Sequence, residues 1–173
     1  MQTLLEGLLP RLLPQLSFLC ISREGKSELD RNIPGILRNW RVPGDRFVIV
    51  RDNDNTDCHA LKARLRELCR QGGREDTLIR IVCQELEAWY LSEPSALADA
   101  FGDERLRNIG RQARYRNPES RVKPSDDIKN LIPTFQKTDG ARRIAAHLTR
   151  ERNTSHSFAV FLSGVERLLA NNA

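Results

Sequence analysis

The stretch of sequence that decides the fold reads FVIVRDNDNTD and covers residues 47–57. Its first four residues are aromatic or β-branched, which predicts a strand, and their unbroken apolar character indicates burial on both faces. Aspartates and asparagines follow at once, as is typical of a turn, and we expect Asp57 to cap the helix that comes next. In open parallel sheets, ligands bind beyond the carboxyl ends of the strands, so this junction is the first candidate for a functional site.

Before and after this stretch, short apolar runs alternate with segments whose apolar residues recur at the spacing of a helix. The runs at 16–22 and 77–83 predict two further strands, and paired leucines within 1–13 predict an N-terminal helix. Helices are also expected between the strands and through most of the chain after residue 84. This alternation predicts an α/β fold, with a small, mostly parallel sheet flanked by helices and a helical C-terminal half.

The composition is that of one ordinary globular domain. The 173 residues include 28 Lys and Arg against 23 Asp and Glu, a net charge of +5, and 39% are hydrophobic. No run approaches the ~20 apolar residues of a membrane span, so we expect a cytoplasmic protein with no membrane partner. We treat 1–173 as a single domain, with a sheet core over 1–83 and a helical extension over 84–173. The four cysteines lack the spacing of a zinc site.

The positive charge is concentrated in one segment. Residues 105–123, which we call the basic segment, hold seven basic residues and one acid, a net charge of +6 that leaves −1 for the rest of the chain. Lys and Arg neutralise phosphates, so this segment predicts binding of DNA or RNA, although a solvated helical surface explains the same pattern nearly as well. The predicted contacts are Arg107, Arg111, Arg114, Tyr115, Arg116, Lys123, Lys137 and Arg142, with Tyr115 stacking on a base. The segment from 102 to 125 is also the least apolar, and we expect it to be the most mobile.

Carboxylates gather at the predicted strand ends. Asp52 and Asp54 lie two residues apart, so in an extended chain their side chains point the same way. Glu85 and Glu87 follow the next strand, and if a helix begins there only one of them faces the site; Glu87 is our choice. Converging carboxylates repel one another unless a hard cation lies between them, which predicts Mg²⁺ or Mn²⁺ held by Asp52, Asp54 and Glu87. The Asp52 and Asp54 pair is equally typical of a turn and helix cap.

A resemblance to a known family adds to this reading. The segments RFVIVRDNDNTDCHALKARL, IRIVCQELEAWYL, YRNPES and FQKTDGARRI, in this order and spacing, resemble the bacterial domain-of-unknown-function family 4276 over nearly the whole chain. The family's fold is Toprim-like, and Toprim domains bind Mg²⁺ through a glutamate after the first strand and an Asp-x-Asp after a later one. The resemblance implies that Asp52 and Asp54 form that pair and that Glu87 belongs to the family's E-x-W-Y segment. Family members often neighbour ATPase genes in phage-defence loci, which implies an ATPase partner.

The chain departs from the family pattern at its start. Family members usually begin with a strand that ends in Val-Glu, and no residue here matches that glutamate, because Glu6 lies inside the predicted first helix. We expect one of two explanations. Either the start codon has been placed too late, or this form lacks one metal ligand and one strand.

These patterns together predict a Toprim-like, Mg²⁺-dependent nuclease of a defence-associated family. Asp52, Asp54 and Glu87 are the predicted catalytic residues as well as the metal ligands, since a metal that activates water suits phosphodiester cleavage. The alternative is a catalytically silent module that binds an ATPase or a nucleic acid. A third possibility is an acidic site for a nucleotide rather than a polymer.

Overall fold

The structure is a computed structural model that describes residues 1–171. Two strands, β1 (Val48–Asp52) and β2 (Leu78–Val82), form the sheet. The α-helices are α1 (Gln2–Leu12), α2 (Lys26–Asn39), α3 (Cys58–Gln71), α4 (Glu87–Leu91), α5 (Pro94–Phe101), α6 (Pro124–Leu131), α7 (Lys137–Ala145) and α8 (His156–Ala170). None of these helices is long and apolar enough to cross a bilayer.

The two strands pair in parallel, with Val48 opposite Leu78 and Asp52 opposite Val82. Helix α3 makes the crossover between them, and it begins where the sequence predicts, because Asp57 Oδ1 accepts a hydrogen bond of 2.7 Å from the Ala60 backbone N–H. The predicted α/β fold with a helical C-terminal half is therefore confirmed, with a sheet of two strands.

Alternate strand residues enter two different hydrophobic cores. Ile49 and Ile79 pack with α2 and α3 on one face of the sheet. Val82 belongs to the larger core on the other face, which α1, α4 and α8 help to build. Because the side chains of a strand alternate between its two faces, the continuous apolar run of β1 serves both layers at once.

The predicted strand at residues 16–22 is wrong. The segment has no strand pairing, although Leu16, Phe18 and Cys20 pack half-buried against the larger core while Leu19 is 72% exposed. It lines one side of a groove of about 860 Å³ whose other side includes β1. The groove separates this segment from β1. Its apolar residues therefore reflect packing against the core, and the segment has no hydrogen-bonded strand beside it.

The segment from 102 to 125, expected to be the most mobile, packs against the larger core. It forms three short 3₁₀ helices (Glu104–Arg111, Ala113–Tyr115 and Pro118–Ser120). Leu106, Ile109 and Tyr115 are buried in that core and anchor the segment. Its polar composition therefore reflects an exposed outer face over an apolar inner one.

Two helical glycines provide a test of core packing. A Cβ added at Gly140 in α7 would overlap the Phe135 ring, whereas one added at Gly35 in α2 meets nothing within 4 Å. We expect Gly140→Ala to lower the free energy of unfolding by about 1–3 kcal/mol through overpacking. Gly35→Ala, the matched control, should raise it by about 0.5–1 kcal/mol, since alanine favours a helix over glycine. Urea unfolding measures both, and equal effects would contradict the packing at Phe135.

Candidate acidic site at the ends of the strands

The side chain of Asn53 ties the carboxyl ends of the two strands together. Strand pairing continues beyond β1, because the Asn53 backbone N–H donates to Val82 O at 3.1 Å. The Asn53 side-chain oxygen accepts a hydrogen bond from the Gln84 backbone N–H, and its amide nitrogen donates to Thr56 O at 2.8 Å. Asn53 is buried, so these bonds hold both strand ends in one fixed arrangement.

The turn after β1 bends away from the extended geometry that the sequence suggests. Asp54 and Asn55 have φ angles of 46° and 62°, in the left-handed region that Asp and Asn tolerate better than most residues. Asp52 and Asp54 are therefore not two successive same-side residues of one strand. The Asp54 carboxylate instead forms an ion pair of 2.8 Å with Lys26 at the start of α2.

Asp52 is the central carboxyl group of the site. Its Oδ1 atom is buried without a hydrogen-bond partner among the described residues. Burial, together with the nearby carboxylates of Glu87, Asp54 and Glu85, raises the pKa of Asp52 from 3.8 to about 7, and the amino group of Met1 opposes that rise. The structure thus brings Asp52 within electrostatic reach of all three acids that the sequence placed at the strand ends.

Glu87 reaches the site from the first turn of α4. The residue is 6% exposed, and burial raises the pKa of its carboxyl group while Lys137, whose Nζ lies 3.9 Å from Oε1, opposes that rise. Glu85, the other acid of this segment, has a partner elsewhere: its carboxylate accepts a 2.8 Å hydrogen bond from the Ser125 backbone N–H in the first turn of α6.

Helix α4 is held rigidly under the site by its two aromatic residues. Trp89 is fully buried, stacks on Phe161, and donates a 2.8 Å hydrogen bond to Ser157 Oγ in α8. Tyr90 is also buried, and its pKa lies well above the ordinary value because of that burial and of the neighbouring Glu87 and Asp52 carboxylates. Sequence reasoning missed Asn53 and Tyr90 as site residues, since one looks like a turn residue and the other like a core residue.

The acidic site fits a cation that needs few protein ligands. Within residues 1–171, no three His, Cys, Asp or Glu side chains lie close enough to form a ready-made metal cage. Mg²⁺ commonly takes only one or two carboxylates and completes its coordination with water and substrate phosphates. Asp52 and Glu87 match that requirement, because Glu87 is buried, Asp52 is half-buried, and Asp52 Oδ1 has no partner to displace among the described residues.

Four of the eight predicted nucleic-acid contacts already lie within ion-pair distance of acids. Arg107 pairs with Asp99 and Glu104, Arg114 pairs with Asp127, Arg142 lies 3.8 Å from Asp139, and Lys137 faces Glu87. Tyr115 is 4% exposed, so its ring is not presented for base stacking. Arg111, Arg116 and Lys123 are exposed and have no ion-pair partner in the part of the chain that the structure describes. These three residues carry the positive charge of the basic segment that no described acid neutralises.

Two hydrogen bonds bring the end of the basic segment to the acidic site. The Asn55 side-chain amide donates to Val122 O at 2.9 Å, and Glu85 accepts from Ser125 N as described above. Lys123 lies between these two anchor points in the sequence. The backbone of Lys123 is therefore held close to the turn that follows Asp52.

Comparison with known proteins gives one match. A family model described as Domain of unknown function (DUF4276) matches residues 1–166 of the 173. No curated protein and no solved structure matches the chain.

The raised pKa of Asp52 makes stability depend on pH. The pKa of this carboxyl group is about 7 in the folded chain and 3.8 at its ordinary value, so the folded chain holds the proton more tightly than the unfolded chain. The free energy of unfolding therefore falls as the pH rises from about 4 through 7. We expect the free energy of unfolding of Asp52→Asn to lack this decrease. Relative to the parent protein, the stability of the variant should therefore rise by about 1–3 kcal/mol between pH 5 and pH 8.

Urea unfolding at both pH values, with a chelator present, measures the effect. The exposed Asp126→Asn variant is the control and should change stability equally at the two pH values. A parallel pH dependence in Asp52→Asn and the parent protein would contradict the raised pKa.

Proposed function

The chain belongs to the DUF4276 family, and from that premise we propose that it is a Toprim-like nuclease whose acidic site performs Mg²⁺-dependent phosphodiester cleavage on DNA or RNA. The observation that carries the proposal is the Asp52 carboxyl group, buried without a hydrogen-bond partner and surrounded by other acids. Such an arrangement is unfavourable unless a cation compensates it, and pKa values perturbed in this way cluster at functional sites.

Each residue of the acidic site has a distinct part in this proposal. Asp52 and Glu87 hold Mg²⁺ or Mn²⁺, which supplies an activated water and stabilises the leaving oxygen. Asp54 adds negative charge from the rim, but its ion pair with Lys26 makes it the weakest of the three predicted ligands. Lys137, next to Glu87, is placed to contact a substrate phosphate when Glu87 turns to the cation.

The substrate approaches from the basic segment in this proposal. Arg111, Arg116 and Lys123 offer exposed charge without competing carboxylates within residues 1–171, and Lys123 is anchored close to the acidic turn. Contacts of this type go to phosphates and carry no base sequence, so we expect binding with little sequence preference. An ATPase partner in a phage-defence setting belongs to the proposal only through the family resemblance.

A second candidate is a binding module without catalysis. The observation that favours it is the lack, among the described residues, of three carboxylates close enough to form a metal cage. In that case the acidic site would be a structural feature, and nucleic acid or an ATPase would bind independently of metal.

Removal of the two buried carboxylates tests the proposed chemistry. In Mg²⁺ or Mn²⁺, we expect cleavage of labelled single- and double-stranded DNA and RNA, reduced by about 10²-fold or more in Asp52→Asn and in Glu87→Gln. Asp54→Asn should lose less, since Asp54 already pairs with Lys26. Calorimetric titration with Mn²⁺ should show the matching loss of metal affinity. Nucleic-acid binding that needs no metal and survives both substitutions, without cleavage, would establish the binding module instead.

The basic segment offers a matched pair of variants. Replacing Arg111, Arg116 and Lys123 together by Gln should weaken nucleic-acid binding and lower the slope of log affinity against log salt by about 2–3, roughly one for each lost phosphate contact. Replacing Arg105 and Arg107, which are paired with Asp103 and Asp99, should change the slope by less than one. Fluorescence anisotropy at several salt concentrations measures both. Equal slopes in the two variants would contradict nucleic-acid binding through Arg111, Arg116 and Lys123.

A further inference from the structure

A pocket of about 550 Å³ lies on the side of β2 that faces away from β1. We call it the β2 pocket. Helix α3 contributes Lys62 and Arg66 to its wall, β2 contributes Arg80, and α8 contributes Leu168. The lining comes from the amino-terminal half of β2 and from the residues just before it, so the pocket is separate from the acidic site at the carboxyl ends of the strands.

Arg80 is the unusual residue of this pocket. It is 8% exposed, yet no carboxylate of residues 1–171 lies within ion-pair distance of its guanidinium group. Its Nε donates to Val160 O at 3.0 Å and one terminal nitrogen donates to Ile79 O at 3.0 Å, while the other terminal nitrogen has no hydrogen bond within the described chain. A buried cation without a counter-charge is strongly disfavoured, so this group calls for an anion.

The backbone of α8 is shaped around the Arg80 side chain. A Cβ added at Gly164 would overlap the guanidinium group, so only glycine leaves room for it against the helix. Two hydrogen bonds and this close approach fix the guanidinium in place. The free nitrogen is therefore preorganised, which lowers the entropic cost of binding a ligand.

Further cations surround Arg80 without carboxylates to balance them. Lys62 and Arg66 have no ion-pair partner among residues 1–171. Burial lowers the pKa of Lys62, and repulsion from Arg66 and Arg80 lowers it further. Burial likewise lowers the pKa of Arg80, with a contribution from Arg167 of α8. Four positive side chains thus lie close enough to repel one another.

The acids at the rim of the β2 pocket do not supply the missing counter-charge. Glu67 pairs with Arg70 at 2.7 Å, and Asp76 pairs with Arg46 at 2.9 Å. Glu75 also lines the pocket, and it contributes to the raised pKa of Arg70. Lys62, Arg66 and Arg80 are left to face the pocket together.

We propose that the β2 pocket binds a phosphate group, with Arg80 at its base and Lys62 and Arg66 at its mouth. Arginine suits phosphate because its planar fork of donors matches the phosphate oxygens, and flanking ammonium and guanidinium groups balance the remaining charge. The phosphate belongs either to a free phosphate compound or to the backbone of a nucleic acid. The proposal does not depend on cleavage at the acidic site.

Calorimetric titrations in EDTA test the pocket without any metal contribution. The probes are inorganic pyrophosphate, ATP and a twelve-nucleotide single-stranded DNA. We expect pyrophosphate to bind, with affinity about tenfold weaker in Arg80→Met and in the double variant Lys62→Gln/Arg66→Gln. The exposed Arg41→Gln variant, outside the pocket, is the control and should bind like the parent protein.

The DNA probe identifies the source of the phosphate. DNA binding that weakens in the same variants assigns the pocket to a nucleic-acid backbone, and binding of pyrophosphate and ATP alone assigns it to free phosphate compounds. Undiminished pyrophosphate binding in the double variant, or no binding to the parent protein, would overturn the proposal. The double variant changes only side chains at the pocket mouth, so it keeps the test decisive if Arg80→Met does not fold.

Discussion

The hydrogen bonds of the Asn53 side chain fix the geometry on which the acidic site depends. One buried amide accepts from the backbone after β2 and donates to the turn after β1, so the two strand ends cannot move apart without leaving buried polar groups unpaired. The left-handed residues Asp54 and Gln84 are held in this arrangement. Asp52 is then presented at the edge of the sheet, and Glu87 comes to meet it from the first turn of α4.

The buried charges of this protein fall into two groups. Most have partners within the fold: Asp127 is clamped by Arg114 and Arg121, and Glu93 accepts hydrogen bonds from Thr149 and Arg152. Asp52 and Arg80 have no opposite charge within ion-pair distance among residues 1–171. These two exceptions lie toward opposite ends of the same small sheet, one among acids and one among bases. Burial of an uncompensated charge lowers stability, so the proposed cation and phosphate sites rest on these two residues.

Sequence patterns predicted most elements of the fold because they depend on local periodicity. The cap at Asp57 agrees with the structure, since a capping side chain acts on its immediate neighbours. The error at residues 16–22 has the opposite origin. An apolar extended run can pack on a core with or without a paired strand, and the pairing depends on the position of a distant backbone. Similarly, the charge count of the basic segment could not show that Asp99 and Asp127 neutralise Arg107 and Arg114.

The sequence alone determined the α/β class, the parallel pair of strands and the acids at their carboxyl ends, because each of these follows from periodicity and order along the chain. The tertiary structure decided which charges are free. It buried Asp52 without a partner, paired Asp54 with Lys26, placed Tyr115 in the core and left Arg80 facing an open pocket. Burial and ion pairing arise from residues that are far apart in the sequence and meet only when the helices pack on the sheet, so no local pattern encodes them.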